Sequence, residues 1–251
     1  MSLQACAEIT RMGDPDRFLS VMAAPPFARS ILFPIYAFNV EIARAPWVTK
    51  EPMIAEMRLQ WWQDALTEIA AGGPVRRHEV VDELAGVLPG SALGHLSALI
   101  EARRRDVHDT PFESKTEIET YLRDTSGGLM AAAVAALGGK ADEKVLNFGQ
   151  AVGLSNWLRA LPQLIASGRN PLLRKDSAWL KELASDGLAM LAVSAKEIEQ
   201  RAYPAARAGW LARSVLKKAV GSPDDILAGR LELSPFRKRA ALLVTTLTGR
   251  I

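Results

Sequence analysis

Apolar residues recur at helical spacing along almost the whole chain, and this pattern most strongly constrains the fold. Within residues 27–45, apolar side chains return every three or four positions, at Ile31, Ile35, Phe38 and Ile42. This spacing is typical of one face of an α-helix. No segment combines β-branched residues with the strict alternation of a half-buried strand. The pattern therefore predicts an all-α protein.

Breaker residues divide the chain into a series of helices. Pro25-Pro26, Gly72-Gly73-Pro74, Pro89-Gly90, Gly138-Gly139 and Ser222-Pro223 fall between the periodic segments, where helices usually begin or end. The predicted helices cover residues 27–45, 51–71, 79–88, 91–108, 117–137, 145–165, 178–200, 202–219 and 234–248. Because no segment resembles an interdomain linker, we expect one domain over 16–251, preceded by an N-terminal tail over 1–15.

Composition excludes several classes of protein. Of the 251 residues, 49% are hydrophobic and 24% are charged, which is ordinary globular usage rather than the composition of a disordered chain. The single cysteine, Cys6, cannot support an intramolecular disulfide framework or a cysteine-based zinc site. The common nucleotide-binding and zinc-protease motifs do not occur. The sequence therefore gives no motif that would indicate a nucleotide-binding protein or a zinc protease.

The sequence also leads us to expect a cytoplasmic protein that can lie on a membrane surface. The first fifteen residues lack a basic segment followed by an apolar core, as a secretory signal would have. The longest apolar run, Leu129–Leu137, has nine residues, whereas a spanning helix needs about 20.

Charge is concentrated in the basic C-terminal segment, residues 201–251. This segment has ten basic and three acidic residues, a balance of +7, while the whole chain carries only +3. Such a segment favours an anionic membrane surface or an acidic protein partner. The plainer alternative is that these residues simply solvate the last helices. Nucleic acid is not an expected partner.

Three segments place polar groups among apolar ones on helices whose other residues predict burial. They are residues 32–39, 56–62 and 153–159. A buried Asn or Arg needs hydrogen-bond partners, which come either from neighbouring helices or from a ligand. The sequence leaves both explanations open for Asn156 and Arg159.

Taken together, these segments resemble the squalene/phytoene synthase family. The resemblance covers roughly residues 16–175 and rests on a set of motifs in the family's order. They are Tyr36-Ala37-Phe38, Arg58…Trp61-Trp62, Tyr121…Gly127-Gly128-Leu129-Met130, Asn156-Trp157-Leu158-Arg159 and Gly168-Arg169. The resemblance implies an all-helical isoprenoid synthase bundle around a deep central cavity. Active members of the family join two prenyl diphosphates head to head with the help of magnesium.

The resemblance also implies which residues line that cavity. They are Tyr36, Arg58, Trp61, Trp62, Asp106, Tyr121, Asn156, Arg159 and Arg169. None of these is assigned a catalytic role. Arg159 is the strongest candidate for gripping an anionic group, because a guanidinium binds phosphate or carboxylate in a bidentate manner.

The sequence departs from the family at the metal site. Active members carry two Asp-x-x-x-Asp motifs, whose acids at i and i+4 share one helix face and hold magnesium. Aligned through the motifs above, these positions hold Ala43, Trp47, Ala160 and Leu164, and the motif occurs nowhere in the chain. The resemblance therefore implies that no magnesium cofactor is bound and that ordinary prenyl coupling does not take place.

Three functional hypotheses follow. The first is a non-catalytic member that binds an isoprenoid or lipid or assists assembly, as does a degenerate branch of the family that assembles respiratory complex I. The second is an active magnesium-dependent prenyltransferase of isoprenoid, carotenoid or squalene biosynthesis. Its substitute acids would be Glu41, Asp64, Asp106 and Asp124. The third is a structural helical protein that meets a partner through its basic C-terminal segment.

Overall fold

The helices of this protein pack as one bundle. The computed structural model describes residues 3–49 and 51–248. Within those ranges the α-helices are α1 (Leu3–Gly13), α2 (Pro15–Met22), α3 (Pro26–Arg44), α4 (Pro52–Ala71), α5 (Glu79–Ala85), α6 (Gly90–His108), α7 (Lys115–Leu122), α8 (Gly128–Ala136), α9 (Glu143–Ala166), α10 (Ser177–Ser194), α11 (Tyr203–Ala206), α12 (Ala212–Gly221), α13 (Asp224–Leu227) and α14 (Pro235–Thr248). The described residues form no strand, only one parallel bridge between Phe112 and Leu172. The all-α prediction is confirmed.

Local chemistry explains many of the helix boundaries. Asp14, Ser114 and Asp176 each accept a backbone N–H hydrogen bond at the start of α2, α7 and α10. These side chains satisfy donors that the first helical turn leaves unpaired. Helix α4 ends where Gly72 adopts φ +67°, a left-handed conformation that suits glycine.

Helix α8 lies at the centre of the bundle. Residues 128–134 are all buried, and α8 packs against α3, α6 and α9. A helix that is apolar on every side must be covered on every side. The longest apolar run of the sequence is therefore a core helix. No helix in the described part of the chain combines the length and hydropathy needed to cross a membrane.

The N-terminal residues differ from expectation. We expected residues 1–15 to form a tail, but residues 3–13 form α1, which packs on α3 and α5. Cys6 and Thr10 on its inner face are fully buried. The prediction of an N-terminal tail is therefore wrong for residues 3–13. Leu3, Cys6, Ala7 and Ile9 of α1 belong to the same core as the rest of the bundle.

Two long predicted helices are interrupted. The segment predicted over 117–137 contains a π-helical turn at Arg123–Gly127, which joins α7 to α8. The segment predicted over 202–219 is divided into α11 and α12 by a short 3₁₀ turn at Arg207–Gly209. Gly209 in this turn allows close contact with α9, because a Cβ there would lie 2.7 Å from Val152 and 2.8 Å from Phe148.

Candidate functional site

A cavity opens between α3, α6, α9 and the π-helical turn. It has two lobes, of about 240 and 350 Å³, which share Trp47, Arg103, Ser126 and Asn156 in their walls. We call these two lobes together the central cavity.

All four positions at which the resemblance places metal ligands lie on the wall of the central cavity. Trp47, Ala160 and Leu164 line the first lobe, and Ala43 lines the second. None of these side chains has an oxygen atom, whereas magnesium requires hard oxygen ligands. The residues present therefore do not fit a magnesium cluster at the family's positions.

Arg169 holds a fixed positive charge beside one of those positions. Its guanidinium carbon lies 4.5 Å from the centre of the Trp47 ring, a cation–π arrangement. The same guanidinium donates hydrogen bonds to the backbone carbonyls of Asp106 and Pro46, the latter at 3.0 Å. Trp47 stands at a position where the family resemblance implies a carboxylate, and its ring contacts the Arg169 guanidinium.

Asp106 and Tyr121 meet Arg103 in a polar cluster on the wall. The Tyr121 hydroxyl donates to Asp106 Oδ2 at 2.9 Å and accepts from Arg103 Nη1 at 2.6 Å. Arg103 Nη1 also donates to Asp106 Oδ2 at 2.9 Å. Burial, together with the negative charge of Asp106, raises the pKa of Tyr121. The Tyr121 hydroxyl is therefore neutral and donates a hydrogen bond to the Asp106 carboxylate.

Among the described residues, the lining of the central cavity has more arginines than aspartates. Three aspartates line it, Asp14, Asp106 and Asp109. Its arginines are Arg17, Arg44, Arg103, Arg105 and Arg169. Two of these arginines, Arg44 and Arg105, also pair with Glu41 and Glu117, which lie outside the lining. An excess of guanidinium groups in a concave site favours an anionic ligand.

Three of these arginines have incompletely satisfied side chains. The Nε atoms of Arg17, Arg103 and Arg105 are buried without a hydrogen-bond partner. A buried donor without a partner is destabilising, so such atoms are usually explained by a ligand or a water molecule. The unpaired donors are consistent with a cavity that accepts a polar ligand.

Tyr36 lies in the core rather than in the cavity wall. It is 1% exposed, and its hydroxyl donates to the Ala205 carbonyl at 3.4 Å. Burial raises its pKa to about 12. The Arg17 guanidinium lies 4.9 Å from the centre of its ring. Tyr36 therefore packs against Arg17, which lines the second lobe, from the core side.

Arg58, Trp61 and Trp62 line a separate surface groove of about 430 Å³. Arg58 is partly exposed and lies 4.0 Å from Glu41. The Trp61 and Trp62 rings meet edge to face at 5.0 Å between centroids. The family resemblance implied that these three residues line the central cavity, but the structure places them in this groove.

Arg159 also lies outside the central cavity. Its Nη2 donates to Asp16 at 2.8 Å, and its Nε donates to Glu232 at 2.9 Å. A weaker hydrogen bond of 3.4 Å leads to Asn156, which does line the cavity. Of the nine predicted site residues, Asp106, Tyr121, Asn156 and Arg169 are thus the ones that share the central cavity.

Three of the proposed substitute acids accept hydrogen bonds from three different residues. Glu41 accepts from Arg44, Asp64 from Gln60, and Asp106 from Tyr121. Burial raises the pKa of Asp124. In residues 3–49 and 51–248, no three His, Cys, Asp or Glu side chains come close enough to share a metal ion.

Arg103 is not among the residues predicted from the sequence, because a run of arginines at 103–105 usually indicates an exposed helix face. The available signal was helical phase. Leu96, Leu99 and Ile100 are fully buried, and residue 103 continues the same face of α6. A charged residue in phase with a buried stripe was therefore the sign of an interior arginine.

Comparison with known sequences identifies relatives of this chain. The family model for squalene/phytoene synthase matches residues 10–178. Proteins named NADH dehydrogenase (ubiquinone) complex I, assembly factor 6, are 27% identical in Homo sapiens and 28% identical in Bos taurus, over 161 residues. Both alignments cover 62% of this chain and 48% of the relative. The chain thus spans about half the length of these curated relatives.

Comparison with solved structures supports the same fold. A dehydrosqualene synthase crystallised in complex with a ligand superposes with a TM-score of 0.81 at 16% identity, covering 98% of this chain and 95% of that one. Squalene synthase HpnC from Alicyclobacillus acidocaldarius gives 0.58 at 19% identity, covering 98% and 94%. The sequence match spans more than half of the chain and the shared fold nearly all of it, so the chain belongs to the squalene/phytoene synthase family.

Proposed function

We propose that this chain is a non-catalytic squalene/phytoene synthase-like protein. It holds an isoprenoid or other lipid with an anionic head group in the central cavity and acts as a binding or assembly protein. The observation that carries this proposal is the composition of the cavity wall. Ala43, Trp47, Ala160 and Leu164 offer no oxygen ligands, and Arg169 is stacked on Trp47.

The chemistry of prenyl coupling explains why this wall matters. Loss of diphosphate from an allylic carbon develops a large negative charge, which a Lewis acid must take up. The family's metal positions here cannot supply the ligands for such an ion. Each tenfold loss in rate corresponds to about 1.4 kcal/mol, and loss of the Lewis acid removes several such steps.

The arginines support binding of the same chemical group without turnover. Arg103, Arg105 and Arg169 surround the first lobe, and two of them have an unpaired buried Nε atom. Guanidinium groups bind phosphate directly and in bidentate fashion. They hold the charge of a head group in the ground state but do not coordinate a departing diphosphate as a metal cluster does.

The names of the relatives support a role in assembly. Those proteins are assembly factors of complex I, and we extend that role to this chain, with a complex I component as the protein partner. The match covers only 48% of the human relative. The complex I partner is therefore proposed for this chain by extension from the relatives' names.

The alternative is an active prenyltransferase that condenses prenyl diphosphates head to head. Family membership favours it, together with Asp106, which lies in the cavity and bonds to Tyr121. This alternative requires magnesium held by a different set of ligands.

A paired assay distinguishes these functions. The purified chain is mixed with farnesyl diphosphate in magnesium or in EDTA, and both binding and diphosphate release are measured. We expect binding of similar strength in both buffers and no release. Magnesium-dependent release would overturn the non-catalytic assignment, while absence of binding would favour a purely structural protein.

Cavity variants locate the binding site. Arg103→Gln and Arg169→Gln should each weaken binding by about 10- to 100-fold, because each removes a charged hydrogen-bond donor worth about 1.5–3 kcal/mol. Arg174→Gln is the matched control, since this arginine is 60% exposed and lies outside the cavity. A melting curve for each variant verifies that it is folded.

A further inference from the structure

Helix α14 has two apolar faces on opposite sides. Ala241 and Leu242 pack against the core, and Thr245 on the same side is 7% exposed. The opposite side carries four large side chains at helical spacing, all directed to solvent. They are Phe236, Leu243, Val244 and Leu247, which are 81%, 59%, 57% and 76% exposed. We call these four residues the outer stripe.

Two unpaired cations lie beside the outer stripe. At 100° per residue, Arg237 and Arg239 fall on opposite sides of it. Both are exposed, and neither side chain has a hydrogen-bond or ion-pair partner among residues 3–49 and 51–248. Helix α14 contains no acidic residue. The stripe is therefore bordered by positive charge alone.

An ion-pair cluster sets the orientation of α14. Lys238 donates to both carboxylate oxygens of Asp16 at 3.1 Å and also contacts Glu232. Asp16 and Glu232 are in turn bound by Arg159 of α9. With this face tied to the body of the protein, the outer stripe points away from the bundle.

We propose that the outer stripe of α14 docks on the surface of an anionic lipid bilayer. A helix with apolar side chains on one face and arginines at its edges lies in the interface between head groups and acyl chains. Its length of 14 residues, about 21 Å at 1.5 Å per residue, suits a helix parallel to the surface. The unpaired arginines complement anionic head groups, which favours a bilayer over an uncharged partner surface. This inference is independent of the proposed function.

Vesicle sedimentation tests the proposal with a matched charge control. We expect the chain to pellet with vesicles of phosphatidylcholine and phosphatidylglycerol and to remain in solution with phosphatidylcholine alone. Arg237→Gln/Arg239→Gln should weaken binding by about tenfold or more, since each cation near such a surface contributes about 1 kcal/mol. Arg201→Gln/Lys217→Gln removes the same charge from exposed positions outside α14 and should have a much smaller effect. Equal loss in the two variants, or equal binding to both vesicles, would overturn the proposal.

A dye placed on the stripe tests contact directly. Cys6 is fully buried, so a thiol-reactive, environment-sensitive dye will label Val244→Cys selectively. Anionic vesicles should shift its emission to the blue. Val193→Cys is the control, because Val193 on α10 is 63% exposed and lies on another element. A shift at Val193 alone, no shift at Val244, or a vesicle-independent shift that grows with protein concentration would refute membrane docking. The last result would identify a second copy of the chain as the occupant.

Discussion

At the scale of single residues, the arginines of this protein differ in which partners surround them. Arg103 and Arg169 are directed to the central cavity, and some of their donors bind backbone carbonyls or neighbouring side chains. Arg159 meets two carboxylates, Asp16 and Glu232, and is 19% exposed. Arg103 and Arg169 each face one aspartate, Asp106 at 2.9 Å and Asp109 at 3.8 Å. Arg159 therefore has more carboxylate partners and is suited to holding helices together, whereas the unpaired Nε of Arg103 remains available to a ligand.

Arg159→Met should destabilise the fold without changing the ligand. The substitution leaves Asp16 and Glu232 with fewer partners in a half-buried cluster, and we expect the free energy of unfolding to fall by about 1–3 kcal/mol. Chemical denaturation measures this change, and native mass spectrometry measures the bound ligand. Loss of the ligand with unchanged stability would instead assign Arg159 to binding, as the sequence suggested.

His95 provides a pH-dependent contribution to stability. Burial and then the positive charge of Arg123 lower its pKa in the folded protein. The unfolded chain therefore binds the proton more readily, and stability decreases as pH falls through about 6.5, the ordinary value for histidine. His95→Gln should flatten the curve of unfolding free energy between about pH 7 and 5. His108→Gln is the control on the same helix, and an unchanged slope in His95→Gln would contradict this assignment.

At the scale of elements, the π-helical turn before α8 shapes the cavity wall. This turn places Ser126 against α9, where it lines both lobes of the central cavity. Helix α9 approaches so closely because it has Gly149 and Gly153 at the contact. A Cβ at Gly153 would lie 2.4 Å from the Cβ of Ser126. Single π turns within helices often occur at functional sites, and here the turn supports the cavity.

Gly149→Ala should disrupt this contact. Its Cβ would lie 2.8 Å from both Gly127 Cα and the Ser126 carbonyl oxygen, which are backbone atoms. We expect a loss of at least about 1–3 kcal/mol, the usual effect of overpacking a core. Gly94→Ala is the matched control in α6, because nothing lies within 4 Å of its Cβ. It should stabilise the protein by about 0.5–1 kcal/mol, and thermal melting of both variants measures the contrast. Similar effects in the two would show that the backbones of α9 and the turn can separate easily.

At the scale of the whole molecule, the bundle encloses a central cavity with several arginines in its wall. Arginines outnumber aspartates in the lining, and the four positions expected to hold metal ligands are apolar. In the described part of the chain, the lining of the cavity contains no residue of α14, which is tied instead to Asp16 of α2, the residue that both Arg159 and Lys238 contact. Ligand binding and attachment to a surface can therefore be tested independently.

Magnesium should not change the effect of a diphosphate on stability. A ligand that binds only the folded state raises its free energy of unfolding by RT ln(1 + [L]/Kd). We expect a diphosphate analogue to raise the melting temperature equally in millimolar magnesium and in EDTA. A rise that requires magnesium would show that the ion is bound with the ligand, in favour of an active prenyltransferase.

The sequence by itself was sufficient for the class of fold. Helical spacing and breaker residues are local properties, so they predicted α3, α4, α6 and α9 closely. Once the family resemblance had assigned the metal positions, the sequence alone showed which residue types stand there. Ala43 and Ala160 have no oxygen atoms in any fold.

Only the tertiary structure decided which polar residues share a site. Arg159 and Glu232 are 73 positions apart, and Arg169 and Pro46 are 123 positions apart, yet each pair is hydrogen-bonded. Local periodicity indicates which face of a helix is buried but not which side chain of another helix it meets. For that reason the sequence grouped Arg58 with the cavity, although the packing of α4 against its neighbours places it in a separate groove.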